Sequence, residues 1–125
     1  MAGYFFQMTR NQNIVTAYLE GFGRMDRELI LSCLTDDVEW VIPGMFHTVG
    51  KDAFSGHIVD DGFSLETAPK ITVHRMIESN DTVIAEGSVA APKDDGSFLD
   101  LVFCDVFDLR DGKIKRLVSY LVEIK

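Results

Sequence analysis

The spacing of apolar residues along the chain changes partway. In the first half it is helical. Ile14, Val15, Tyr18, Leu19 and Phe22 recur at intervals of three and four, which predicts a helix over about Arg10–Gly23 with Thr9 as its N-cap. Gly21 and Gly23 weaken its end. Asp26 is placed to cap a short second helix, about Arg27–Cys33, with Leu29, Ile30, Cys33 and Leu34 turned inward. Glu39–Ile42 reads as a strand that Pro43-Gly44 ends. Gly50 precedes a third helix, Lys51–Val59, with Ala53, Phe54 and His57 at helical spacing.

From Pro69 onward the period is two. Pro69–Glu78 sets Ile71, Val73, Arg75 and Ile77 against Thr72, His74 and Met76. Asn80-Asp81 turns the chain into a strand over Thr82–Ala91. Lys93-Asp94-Asp95-Gly96 is a second turn, its Asp-Gly a strong hairpin signal. Ser97–Leu109 is the third long strand, and Arg110-Asp111-Gly112-Lys113 leads into the last, Ile114–Ile124. Helices followed by an antiparallel meander make an α+β pattern. Helices on the concave face of such a curved sheet would leave a pocket between the layers.

Length and composition narrow this further. A single domain of 125 residues buries about two thirds of its unfolded surface and needs no disulfide or metal to fold. A formal charge of −8 argues against nucleic acid or an anionic membrane as partner. Cys33 and Cys104 have apolar neighbours and no CxxC spacing, which reads as two free thiols in a reducing compartment. No apolar run approaches the roughly 20 residues that span a bilayer, and no secretion signal is visible, so the expected location is cytoplasmic. Met1–Gln7 reads as an addition ahead of a natural start at Met8, and order is not expected over residues 1–8.

Against this background one residue stands out. Asp105 interrupts Leu101-Val102-Phe103-Cys104-Asp105-Val106-Phe107, and strand alternation puts it on the same face as Leu101, Phe103 and Phe107. A carboxylate there is costly unless it has a partner, a proton or a task. Two readings follow from the residues. Asp105 is a cavity acid with a raised pKa, or a structural carboxylate tied to Arg75, Arg116 or Tyr18. Glu86 is a second acid inside an apolar strand, and a cross-strand pair with Arg75 or Arg116 is the expected fate. The three histidines lack metal-ligand spacing, so neither metal nor cofactor is expected. His74, Met76, Val102, Cys104, Val106, Val118 and Tyr120 share the opposite parity and would form an apolar outer surface.

Leu34-Thr35-Asp36-Asp37-Val38-Glu39-Trp40, Pro43-Gly44, Gly50-Lys51-Asp52-Ala53-Phe54, and Phe103–Phe107 running into Asp111-Gly112-Lys113-Ile114 and Ser119-Tyr120 together resemble a known superfamily. In order and spacing the chain is similar to the SnoaL-like, polyketide cyclase-like branch of the nuclear transport factor 2-like proteins. The resemblance implies a cone-shaped α+β barrel over nearly the whole chain. Ketosteroid isomerases, epoxide hydrolases, dehydratases and cyclases share that fold with many non-catalytic domains, so fold does not settle function. Tyr18 falls where the isomerase has its oxyanion-hole tyrosine, and Asp105 where it has its protonated aspartate. The isomerase's general base would align with Trp40, and an indole cannot take a proton from carbon. In SnoaL-like cyclases the aspartate matching Asp105 is the main acid/base.

The resemblance therefore implies a pocket for a small hydrophobic carbonyl or enol compound, with proton transfer of the isomerase, cyclase or dehydratase type. Asp105 would be the acid/base, Tyr18 the oxyanion donor, and His47, on a loop at the cavity mouth, a second base. Trp40, Phe54, His57, Phe103 and Leu121 would contact the ligand. A symmetric homodimer through the outer sheet face is implied as well. Two rival readings share the fold: a non-catalytic ligand-binding module, and a dimeric assembly domain whose cavity is filled by Phe side chains.

Overall fold

The structure is a computed structural model that describes residues 8–58, 68–93 and 95–124. The expectations placed on Met1–Gln7, Val59 and Asp94 lie outside these residues.

Helix α1 (Arg10–Arg24) starts in a capping box. The Thr9 side chain accepts from the Gln12 amide, and the Gln12 side chain accepts in return from the Thr9 amide. It ends on Met25 in the left-handed conformation (φ 54°). Its apolar stripe buries Val15, Tyr18 and Leu19. Helix α2 (Arg27–Ser32) is capped by the Asp26 carboxylate, which accepts from the Leu29 amide, and Cys33 is its C-cap. Gly21 is where the two helices meet. A Cβ there would lie 2.8 Å from Ile30 Cγ1, so the glycine that lowers helix propensity permits the close approach.

Strands β1 (Leu34–Ile42) and β2 (Phe46–Val49) form a hairpin, followed by helix α3 (Lys51–Gly56). Strands β3 (Lys70–Ser79), β4 (Thr82–Pro92), β5 (Phe98–Arg110) and β6 (Lys113–Glu123) form the meander. The sheet order is β2-β1-β6-β5-β4-β3. Neighbours are antiparallel except β1 and β6, which run parallel. The curved sheet is open, with β2 and β3 at its edges, rather than a closed barrel. The core lies between its concave face and the helices, with Phe54, Phe107, Ile30, Leu34, Ile114 and Leu117 fully buried.

Three local expectations change. The segment read as a loop around His47 is strand β2, paired with β1 through Val41↔His47 and Trp40↔Thr48. Strand β1 begins five residues earlier than expected, because an irregularity between Leu34 and Glu39 lets it keep pairing with β6. Strand β3 does not alternate regularly. The pairing passes from Val73↔Gly87 to Arg75↔Glu86, leaving His74 bulged. Ile71 and Val73 stay on the concave side, Arg75 and Ile77 turn outward, and Met76 turns in to pack on the core. Met76 is therefore not part of the outer surface. Gly87 faces this bulge, and a Cβ there would lie 2.1 Å from the Thr72 carbonyl oxygen and 2.7 Å from the Phe103 ring.

Candidate functional site

Cross-strand register builds the site. Ala85↔Asp105↔Ser119 form one row across β4, β5 and β6, and all three side chains point to the concave face. Helix α1 lies over this row and lowers Tyr18, Leu19 and Phe22 toward it. Strand β1 brings Trp40 from the other side, through the Trp40↔Leu117 pair. Between them is a cavity of ≈ 200 Å³, walled by Tyr18, Phe22, Trp40, Phe103, Asp105 and Ser119 and, toward its rim, by Ile71, Val89, Leu101 and Leu121. A larger groove of ≈ 530 Å³ runs between α1 and β3, but it is lined by Glu20, Arg24 and Lys70 and holds no buried titratable group.

Asp105 is 7% exposed. Its Oδ1 is buried and has no hydrogen-bond partner among the described residues. The two arginines considered as its partners are engaged elsewhere. Arg75 donates to Glu86 across 2.7 Å on the outer face, and Arg116 lies 3.8 Å from Asp108. Burial pushes the Asp105 carboxyl up to about 7, against a smaller downward pull from the Ser119 hydroxyl. Protonated and ionised forms are then comparable near neutrality, the condition under which one carboxyl can both give and take a proton.

Tyr18 is 2% exposed. Burial first, the Asp105 charge second and the Cys33 thiol third raise its pKa well above the ordinary phenol value, so its hydroxyl stays a donor. Rings hold it in place: Phe22 at 5.1 Å, Phe107 at 5.4 Å and Phe54 at 6.2 Å, all edge-on. Trp40 stacks on Phe54 at 4.2 Å and meets Phe46 and Phe22 edge-on. Its indole Nε1 donates to Ser119 Oγ over a long 3.5 Å.

Of the residues singled out in the sequence, the structure brings Asp105, Tyr18, Trp40, Phe103 and Leu121 together around the cavity. Three others it does not. Phe54 is fully buried behind Trp40, as core. His57 is exposed and stacks on Phe46 at 4.0 Å, with Trp40 edge-on at 6.1 Å, outside the cavity wall. His47 is on the opposite face of the sheet from Trp40, where its Nε2 lies 2.9 Å from Glu39 Oε2. Strand pairing turns it away from the cavity, so it is not positioned as a second base. Sequence reasoning missed several apolar wall residues, Phe22 among them, and one polar wall residue, Ser119. The signal for Ser119 was parity with Leu117 and Leu121 on a strand destined to pair with that of Asp105.

Among the described residues, no three His, Cys, Asp or Glu side chains come together as a metal site. No helix among them is long and apolar enough to cross a membrane. The SnoaL-like domain model matches residues 15–117. No curated protein matches the chain. Among solved structures, the chain is similar to an LEH-like epoxide hydrolase from M. tuberculosis at 18% identity and TM-score 0.76, covering 90% of this chain and 83% of that one. It is similar to a putative polyketide cyclase from Xanthomonas campestris pv. campestris at 26% identity and TM-score 0.69, covering 89% of each chain. It is also similar to TerC, co-crystallised with polyporic acid, at 26% identity and TM-score 0.73, covering 89% of this chain and 90% of that one.

Proposed function

The chain belongs to the SnoaL-like domain family, and we propose that it binds a small, uncharged, ring-shaped carbonyl or enol compound and moves a proton on it. The observation that carries this reading is the Asp105 carboxyl, buried with a bare Oδ1 at the wall of an apolar cavity. The cavity is smaller than the roughly 300–1,000 Å³ typical of drug-sized ligands, which favours a compound of one or two rings. Among the described residues, no Lys or Arg lines it, so a carboxylate or phosphate ligand would lack a counter-charge. The likeness to a putative polyketide cyclase and to a protein crystallised with polyporic acid agrees with a ring-bearing oxygenated ligand.

In this mechanism the ligand's carbonyl oxygen accepts from the Tyr18 hydroxyl. Ionised Asp105 takes a proton from the carbon beside that carbonyl. The electron pair moves onto the oxygen, where Tyr18 holds the enolate. Asp105 then returns the proton to the same or a conjugated carbon. The residues named here complete this cycle without a cofactor.

One observation favours a binding role without turnover: His47 faces away, which leaves Asp105 with no companion base among the described residues that line the cavity. Solvent-deuterium exchange into small ring ketones, alongside thermal-shift titration with substituted phenols, separates the two. Parent protein should exchange deuterium, and Asp105→Asn should lose about 10²–10⁴-fold of that rate while still binding phenols. Tyr18→Phe should weaken both. Binding without exchange in the parent leaves the binding module. Exchange unaltered in both variants removes this site from the chemistry.

We also assign the outer face of the sheet to a second copy of the chain. Tyr120, Val102 and Val122 are exposed there, beside the Arg75–Glu86 ion pair. Apolar side chains exposed together on one face of a sheet favour a partner that covers them. The unpaired thiols of Cys33 and Cys104 support a reducing, cytoplasmic setting.

A further inference from the structure

The rungs of the sheet grade the cavity from apolar to polar. Val89↔Leu101 lie at the rim, Phe103↔Leu121 one step inward on the same face, and Asp105↔Ser119 a further step in. Phe107↔Leu117, both fully buried, close the row behind. Among the described wall residues, only Asp105, Ser119, Tyr18 and Trp40 carry a side-chain nitrogen or oxygen. A ligand therefore meets hydrogen-bonding groups at the inner end and hydrocarbon toward the mouth. Ser119 is 6% exposed. Its Oγ accepts from Trp40 Nε1 over 3.5 Å. An indole only donates, so this contact leaves the hydroxyl hydrogen unspent. No hydrogen bond, to Asp105 or to any other described residue, takes that hydrogen. A buried donor in this state calls for an acceptor that the fold does not supply.

We propose that Ser119 is a second ligand-binding donor and that, with Tyr18, it selects a ring bearing two oxygens in a 1,3 relation, a cyclic β-dicarbonyl or its enol. The inference rests on the reading of this cavity as the ligand site and names the class of ligand within it. One ligand oxygen sits at the Tyr18 hydroxyl, which lies near enough to Asp105 to feel its charge. The other sits at Ser119, one strand across. Directly opposed side chains on paired strands start about 4.5–5.5 Å apart. That spacing suits oxygens on alternate ring carbons. Oxygens on adjacent carbons crowd closer, and those on opposite carbons point apart. The chemistry agrees with the geometry. A carbon between two carbonyls gives its proton to a carboxylate far more readily than a carbon beside one. As Asp105 takes that proton, the electron pair of the broken C–H bond spreads over both oxygens. Tyr18 donates to one and Ser119 to the other, and both bonds strengthen as the charge develops. Donation by the Trp40 indole polarises the serine hydroxyl and makes it the better donor.

The test compares three isomers of one composition and does not require turnover. Resorcinol carries its two oxygens on alternate ring carbons, catechol on adjacent ones and hydroquinone on opposite ones. Binding of each to the full chain is followed by amide NMR titration. Resorcinol should bind about five- to tenfold more tightly than either isomer, the effect of about one hydrogen bond. Ser119→Ala should bring the three isomers to within about twofold of one another. Ser119→Cys, close in size but a weak donor, should fall between, and it reads the same ratio if the alanine variant does not fold. Tyr18→Phe should weaken all three. Equal binding of the isomers to the parent, or a resorcinol preference that survives both serine substitutions, would overturn the role of Ser119 and leave a cavity for a ring with one oxygen. A preference for catechol or hydroquinone would overturn the 1,3 relation. If no isomer and no simple phenol binds the parent, the cavity reading itself falls, and this inference with it.

Discussion

Asp105 and Glu86 look alike in the sequence: each is one acid inside an otherwise apolar strand. They sit one rung apart on the β4–β5 ladder, and the fold gives them opposite fates. Glu86 faces outward, where Arg75 donates to it across 2.7 Å and holds its carboxyl below the usual range. Asp105 faces inward, where burial without a cation holds its carboxyl up at about 7. The sheet thus keeps its charge pair on the convex side and its lone acid on the concave side. A carboxylate in a strand becomes a candidate for chemistry only when its face and its neighbours' faces are both known.

The two faces should differ most in how they tolerate truncation. Phe107→Ala removes a fully buried ring beneath Tyr18 and is expected to cost about 3–5 kcal/mol in urea unfolding. Val102→Ala, on the exposed convex side, should cost far less in the monomer. A smaller cost for Phe107 than for Val102 would invert the assignment of faces.

The next effect is electrostatic and has a definite sign. Asp105 titrates near 7 in the fold and near 3.8 when unfolded. Between those values the folded chain keeps a proton that the unfolded chain has released, so stability falls as pH rises. The penalty is complete above about pH 7 and absent below about pH 4. Roughly three pH units at 1.36 kcal/mol each make about 4 kcal/mol. Relative to Asp105→Asn, the parent should therefore lose up to about 4 kcal/mol between pH 4 and pH 8. Parallel unfolding curves for the two proteins across that range would show Asp105 to be solvated.

The smallest effect is expected at the outer pair. Arg75→Ala should let the Glu86 carboxyl climb back toward its ordinary value in an NMR titration, with little change in melting temperature, because both partners are exposed. If Arg75→Ala moved Asp105 instead, the segregation of charges would be wrong.

Much of this was legible in the chain. Helical spacing found α1 and the inward side of Tyr18. Alternation found the face of Asp105 and put it with Phe103 and Phe107. These are local patterns. What escaped depended on partners distant in sequence. Strand β2 is four residues long and carries no alternation strong enough to mark it, so His47 read as a loop residue, and its outward face follows from pairing with Val41. Phe54 sits at helical spacing whether it meets a ligand or Trp40. Ser119 gains its place at the site only through the register with β5.

The bulged His74 has a consequence for how this strand can vary. Counted from the Asn80-Asp81 turn, β3 holds one residue more than its ladder with β4 requires. A relative lacking that residue would pair Val73 with Gly87 and Arg75 with Glu86 in uninterrupted register, so Ile71 would still border the cavity and the arginine would still point outward. An insertion or deletion elsewhere in the strand would exchange its two sides. Position 74 is thus a seam where lineages can change length without exposing the interior acid to a cation.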